Sequence, residues 1–547
     1  MAKRRTKAPA AGSEIISVRP EVGAVVGGGL EGAERTSRET ALWAPSMRSP
    51  DGVINSVKPL ADARGRDITA NNGYAAGAVG LHRDSIVGQT YRLNAAPNWK
   101  VLGVSEEWAE EWSEVVEARF QTIAESEYNW LHAARRGTFT DLIRLAVSSF
   151  VMTGEVVATS EWIDNDPLRP LRTAVQIISP DRLSNPNDLD DTDTLRRGIE
   201  MDLNGRPVAY HIRAQHPGER FLKADGYKWK RVRAYTGWGR WQCLHIAEQR
   251  MPDQSRGVAE MVSVLKSMRM LKQFSEITLQ NAVVNATYAA AIESELPSEA
   301  VIAGMGGAES GAAAAMQWYM ESLADYLSSA NNIQIDGVKI PHLFPGTKLN
   351  LKPAGNPGGV GSDFETGLLR HIAAGLNLSY EEFSRDYSKT NYSSARASML
   401  GTWRSMQTKK RIVADRLATA VYTNVVEEEI SAGNLPLPPG KRREWFYQPL
   451  VREALCACSW LGASRGQIDE MKETQAAVLR VQNNLSTLEA ECARVGLDWR
   501  DVLRQRAREK KLMETLGLDP AMLAAASNPA MNRASTGGAE SSDGDSE

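Results

Sequence analysis

A chain of 547 residues is too long for one ordinary domain, and at 42% apolar and 24% charged residues it reads as a folded, water-soluble protein of several packed units. The net charge of −3 excludes a chain that is basic overall, so any polyanion-binding surface must be local. Four cysteines exclude a disulfide framework, and the Cys456–Cys458 pair has no second pair or histidine cluster at zinc-site spacing. The start, MAKRRTKAPAAGSEII, is basic without an apolar core, unlike a secretory signal. No apolar run reaches the roughly 18 residues of a membrane-spanning helix.

In chain order, the first fifty or so residues are rich in Gly, Ala, Pro and charge and are expected to be irregular; helical text begins at Arg64. Between Glu106 and Ala124, Trp108, Trp112, Val115, Val116, Phe120 and Ile123 recur at helical spacing, and a second helix is expected over Thr138–Met152. The period then changes. GEVVATSEW (154–162), TAVQIIS (173–179), GIEMDLNGRPVAYHIR (198–213) and WQCLHIA (241–247) read as strands. Asn204-Gly205 predicts a hairpin through a type I′ turn, which needs positive φ at both residues. A long helix is expected from about Val258, with Met261, Leu265, Met268 and Leu271 on one face. Residues 339–361 are punctuated by Pro and Gly and hold at most short strands. Helix resumes over Asp363–Gly375. From Met399 through Trp403, Met406, Val413, Leu417, Val421 and Val425 runs a helix of about 35 residues, some 50 Å long, which GNLPLPPG (433–440) ends. Ser486 and Glu489 have capping-box spacing, and Asp498 opens an amphipathic run. From Ser527 the composition is small, polar and acidic, as in disordered tails.

Three enzyme signatures match by letter and lack their context. Gly27, Gly29 and Gly32 fit GxGxxG, but too little chain precedes them for a βαβ unit, and a flexible linker is the better reading. Gly462-Ala463-Ser464-Arg465-Gly466 fits a nucleophile elbow, yet the histidine base that normally follows is missing, since the last histidine is His371. Arg385-Asp386 with Asn391 reproduces the RDxxxxN part of a kinase catalytic loop, without its His, its DFG or a glycine-rich loop. A phosphotransfer enzyme is therefore kept only as an alternative, beside a capsid or tail scaffold protein without a channel. No carboxylate pair or histidine spacing adds support for catalysis or a metal.

Residues 384–400, SRDYSKTNYSSARASML, place seven hydroxyls within eleven residues, directly before the long apolar-periodic segment. From Arg385 to Arg416 eight basic residues face two aspartates, a net +6 in a chain of −3. A polar loop with Lys and Arg leading into a basic helix can contact phosphates without reading bases. A solvated helix face, or ion pairs with neighbouring subunits, would use the same residues, and on the residues alone these readings stay open.

SRDYSKTNYSSARAS resembles the signature of the lambda-type portal proteins of tailed bacteriophages. So, in the same order, do RGRDITANNGYAAGAVGLHRDSIVG (64–88), IISPDRLSNP (177–186), IAEQRMPDQSRGVAEM (246–261) and the stretch from Ser459 to Glu509. Ala259-Glu260 departs from the Ser or Pro expected there. The resemblance implies a helix-rich α+β fold assembled as a ring, generally a dodecamer, at one capsid vertex. Its implied parts are a flexible segment 1–55, an α/β wing 56–257, a stem helix 258–290 and a clip 291–362. A second stem helix 363–376, a tunnel loop 377–395, a long helix with the wing/crown base 396–455, a helical crown 456–520 and an acidic tail 521–547 follow. It also implies a non-enzymatic conduit for double-stranded DNA, without cofactor, that packages and ejects the genome. The implied partners are terminase, major capsid and scaffold proteins and head–tail completion proteins, with no membrane; the implied places are the virion and, during assembly, the host cytoplasm. Arg385, Lys389, Asn391, Tyr392 and Arg396 are the residues expected to meet DNA.

Overall fold

A computed structural model describes residues 42–219, 224–288, 360–466 and 470–517, with a few more between 320 and 339. The GxGxxG glycines, most of the 291–362 segment and the tail from 521 lie outside the described residues. The chain divides into Met1–Ser49 and Pro50–Glu547; in the first unit the described residues, 42–49, contain neither helix nor strand.

The second unit opens with α1 (Pro50–Asn71) and α2 (Gly73–Ile86). The buried side of α1 is mostly polar: Asp51, Ile54, Asn55, Lys58, Asp62 and Gly65 recur at helical spacing. Burying such groups is tolerable only if each finds a partner. Arg196 and Ser255 bond Asp51, Asp191 accepts from Asn55, and Lys58 reaches Glu155 at 3.3 Å. Next come β1 (Arg92–Ala95), α3 (Glu106–Ala124) and α4 (Phe139–Thr153). Ser105 caps α3, and Thr138 with Asp141 forms a full capping box on α4. Trp112, Val116, Phe120 and Ile123 of α3 are buried as their spacing requires, whereas Trp108 is half-buried and Val115 is exposed.

β2 (Glu155–Trp162) is the middle of an antiparallel sheet, flanked by β3 (Thr173–Ile178) and β8 (Cys243–Ala247). Between these in sequence, β4 (Leu195–Arg196), β5 (Ile199–Met201), β6 (Pro207–Arg213) and β7 (Trp229–Arg233) form a separate meander in that spatial order. Val157, Ile178, Leu183, Ile199, Tyr210 and Ile212 close a small core between the two sheets. The expected β5–β6 hairpin exists, but its turn is not type I′. Gly205 has φ +77°, Asn204 is not at positive φ, and the Asp202 carboxylate accepts from the N–H groups of Asn204 and Arg206. A side-chain acceptor thus replaces the second left-handed residue.

The helix expected from Val258 starts later. A 3₁₀ turn (Glu260–Val264) leads into α5 (Leu265–Tyr288), which packs on α6 (Val360–Gly375) through Phe274 and Phe364. β9 (Gln334–Ile335) pairs with β10 (Val338–Lys339). Residues 377–395, the segment expected as a tunnel loop, are not loop throughout: α7 (Tyr380–Ser384) and the first turn of α8 (Tyr392–Lys409) fall among them. α8 continues through a π-helical turn, Lys410–Asp415, into α9 (Arg416–Ala432), so the helical path starts seven residues before the expected Met399. Gly433, at φ +82°, caps it as its position predicts. β11 (Cys458–Leu461) pairs antiparallel with β1, and α10 (Glu470–Gln482), α11 (Leu488–Arg494) and α12 (Trp499–Leu516) complete the described chain. Thr487, not Ser486, caps α11, by accepting from the Ala490 N–H.

Candidate nucleic-acid interface

The polar stretch folds as a short turn held between two helices. Ser379 caps α7 by accepting from the Glu382 N–H, and its hydroxyl donates to the Glu382 carboxylate at 2.6 Å. Phe383 is buried against Tyr74 of α2, with ring centroids 5.5 Å apart. Arg385 then ends α7 in the left-handed region at φ +60°. The Ser384 hydroxyl donates to the Tyr380 carbonyl and accepts from the Asp386 N–H. Asp386 accepts from both the N–H and the hydroxyl of Ser388, at 3.0 and 2.6 Å, which holds its carboxyl below the usual range. Asn391 caps α8, its side-chain oxygen accepting from the N–H and hydroxyl of Ser394, both at 2.9 Å.

Much of the hydroxyl density is therefore spent on the segment's own backbone. Both kinase-like letters have local tasks, since Asp386 accepts from Ser388 and Asn391 caps α8. What remains directed outward is Arg385, Lys389 and Tyr387, all exposed. Of the expected DNA-contacting residues, Arg385 and Lys389 flank the turn and Asn391 has a structural task. Tyr392 begins α8, and Arg396 lies one turn further, 3.5 Å from Glu473 of α10.

The basic window is less open than its letters suggest. Lys409 is buried, donates to Glu260 at 2.5 Å and lies 3.0 Å from His82 Nε2. Burial, reinforced by the Lys409 charge, lowers the His82 pKa to about 3. The ring is then neutral, with Nδ1–H donating to the Ala78 carbonyl at 2.8 Å and Nε2 accepting from Lys409. Lys410 donates to Asp415 and to the Trp460 carbonyl, 2.7 and 2.9 Å away. Arg404, Arg411 and Arg416 remain exposed along the helix. Sequence reasoning missed these inward contacts, although Asn391 three residues before Ser394 was a readable cap.

The nucleophile-elbow match sits elsewhere. Ser464 lines a cleft of about 150 Å³ with Arg396, Trp403, Arg465 and Glu473, and no histidine is among its described lining residues. Burial raises the thiols of Cys456 and Cys458, the latter to about 11, so neither is a ready nucleophile or metal ligand.

Residues 36–410 match the family model described as phage portal protein, lambda family. The portal protein of Escherichia phage N15 is 36% identical over 507 residues, covering 91% of this chain and 92% of its own. Portal protein B of Escherichia phage lambda is 36% identical over 501 residues, covering 90% and 91%. Among solved structures, the neck of an empty gene transfer agent particle aligns with 80% of this chain and 93% of its own, at 13% identity and TM-score 0.39, too loose a likeness to argue from.

Proposed function

The chain belongs to the lambda family of phage portal proteins, and on that footing we propose that it closes into a ring, generally of twelve copies, whose bore passes double-stranded DNA. As a portal protein it is a structural part of the virion. In this reading residues 56–257 are the wing, α5 and α6 the stem, and α10–α12 the crown. The 291–362 segment is the clip that docks terminase and later the head–tail completion proteins. The turn between α7 and α8 faces the channel.

One observation carries the DNA contact: the turn spends much of its polar density on its own bonds and leaves two cations, Arg385 and Lys389, exposed. Such contacts hold a phosphate backbone without base preference, and each is weak and salt-dependent because binding releases condensed counterions. A moving polymer needs contacts of that kind, and a ring multiplies them by its subunit number. The double substitution Arg385→Glu with Lys389→Glu should leave ring assembly and melting nearly unchanged and lower the amount of packaged or retained DNA. Normal packaging of full-length DNA by that variant would remove the turn from the DNA path. The ring itself turns over no ATP, which is left to terminase; hydrolysis by the purified ring that disappears in Asp386→Ala would restore the enzymatic alternative.

A further inference from the structure

The β4–β5–β6–β7 meander carries opposite charge on its two margins. Ahead of β4 stand Asp188, Asp190, Asp191 and Asp193. Asp191 is used inside the chain, accepting from Asn185, Asn55 and the Arg197 N–H, and it thereby fixes the loop. Asp188, Asp190 and Asp193 are exposed, Asp188 with only a distant contact to Arg213 at 3.9 Å. The other margin is β7, with Lys230, Arg231 and Arg233 exposed. Arg231 is paired with Glu200 at 2.7 Å, which leaves Lys230 and Arg233 as its outward cations.

β7 is also a terminal strand with backbone to spare. Ala234 N–H donates to Val208, Ala214 N–H donates to Lys228, and Tyr210 faces Val232, so the even-numbered residues of β7 bond β6. The alternation of an antiparallel ladder then turns the N–H and C=O groups of Trp229, Arg231 and Arg233 away from β6. Among the described residues no strand pairs with that side. It opens on a groove of about 610 Å³ against the β3–β2–β8 sheet, in which Arg182, Lys230, Arg231 and Arg233 face one carboxylate, Glu161. An open strand edge is a template for another chain.

We propose that β7 and its groove receive the acidic segment 188–193 of a second copy of this chain. Pairing two β7 edges, or two acidic loops, would set like charges together, so a two-fold axis through either margin is disfavoured. Joining one copy's acidic margin to the next copy's basic margin is a head-to-tail contact, and such contacts propagate until a rotation closes them into a ring. The inference rests on the ring reading above and names the surface that reading lacks.

Two charge-reversed chains test it: Lys230→Glu with Arg233→Glu, and Asp190→Lys with Asp193→Lys. All four positions are exposed, so each variant should melt as the wild type does. Each alone should need at least about tenfold more protein for half-assembly by native mass spectrometry, a handicap that shrinks as salt screens the repulsion. Mixed together, they should recover rings of strictly alternating composition, because every junction again joins opposite charges. Rings that close normally in either variant, or folded variants that fail to rescue each other, would overturn the contact and leave the ring reading standing. Wild-type protein that forms no ring would overturn both. If a reversed chain melts early, Lys230→Gln with Arg233→Gln replaces it, with a smaller assembly deficit expected and an unchanged assembly curve counting against the contact.

Discussion

At Glu155 a carboxylate with no solvent exposure accepts from Arg256 at 2.5 Å, from His245 and from the Gly257 N–H, both at 3.0 Å. Burial alone would raise its pKa, but Arg256 and Lys58 overcome that and hold it well below the usual range. Asp62, one turn of α1 from Lys58, fares differently: burial outweighs the Lys58 charge, and its pKa rises to about 6. A carboxyl whose pKa is raised on folding contributes most below its ordinary value near 3.8 and loses that contribution as pH rises through about 6. The melting temperature of Asp62→Asn, relative to wild type, should therefore increase from pH 4 to pH 7; a constant difference in calorimetry would show that the group does not titrate as its surroundings require. His82 has the opposite sign. Its pKa is lowered to about 3, so its contribution is full above about 6.5 and fades as pH falls toward 3. Below pH 6.5 the pocket of His82, Lys409 and Glu260 should become a weak point, visible as rising hydrogen exchange at the α2–α8 contact.

Between elements, the decisive contacts are close approaches of backbone. Gly154 ends α4 at φ +80°, and Gly257 crosses it so tightly that a Cβ on Gly257 would stand 2.1 Å from the Gly154 carbonyl oxygen. Only glycine allows that crossing, which joins β2 to the segment entering α5. Gly257→Ala should cost on the order of 3 kcal/mol, read as a lower denaturant midpoint with an unchanged slope. The α8–α9 helix shows how a cation can share an apolar face. Its buried residues run Met406, Val413, Leu417, Val421 and Val425, and Lys409 and Lys410, three and four residues after Met406, fall on the same side and reach Glu260 and the Trp460 carbonyl. At the start of the same helix Asn391→Ala should cost about 1 kcal/mol and Asn391→Asp much less, since aspartate caps equally well. Equal losses by thermal melting would contradict the capping role.

For the whole molecule, β11 closes the second unit by pairing with β1, Leu461 opposite Arg92 and Cys458 opposite Ala95. It delivers Trp460 into an aromatic cluster, stacked on Tyr91 at 5.6 Å and within 6.3 Å of Phe120, Phe139 and Tyr422. Trp460→Ala should cost about 3–5 kcal/mol and loosen α3, α4 and α9 together, which proteolysis would report; cleavage confined to the C-terminal helices would argue against a shared core. The sequence by itself determined the family, through co-linear motifs, the existence of α4, and the faces of α3 and α9, because apolar burial on a helix repeats every 3.6 residues and spacing is local information. It also located the polar stretch and the basic window. It did not reveal that α1 begins at Pro50, because the buried side of that helix is polar and its partners, such as Glu155 and Asp191, lie far along the chain. Nor did it reveal which cations stay outward: Lys409 and Arg385 carry the same charge, yet one meets Glu260 in the interior and the other meets solvent. Tertiary structure made that choice, since a charge can enter a protein only where distant segments bring it a counter-charge and hydrogen bonds, and no local pattern encodes that meeting.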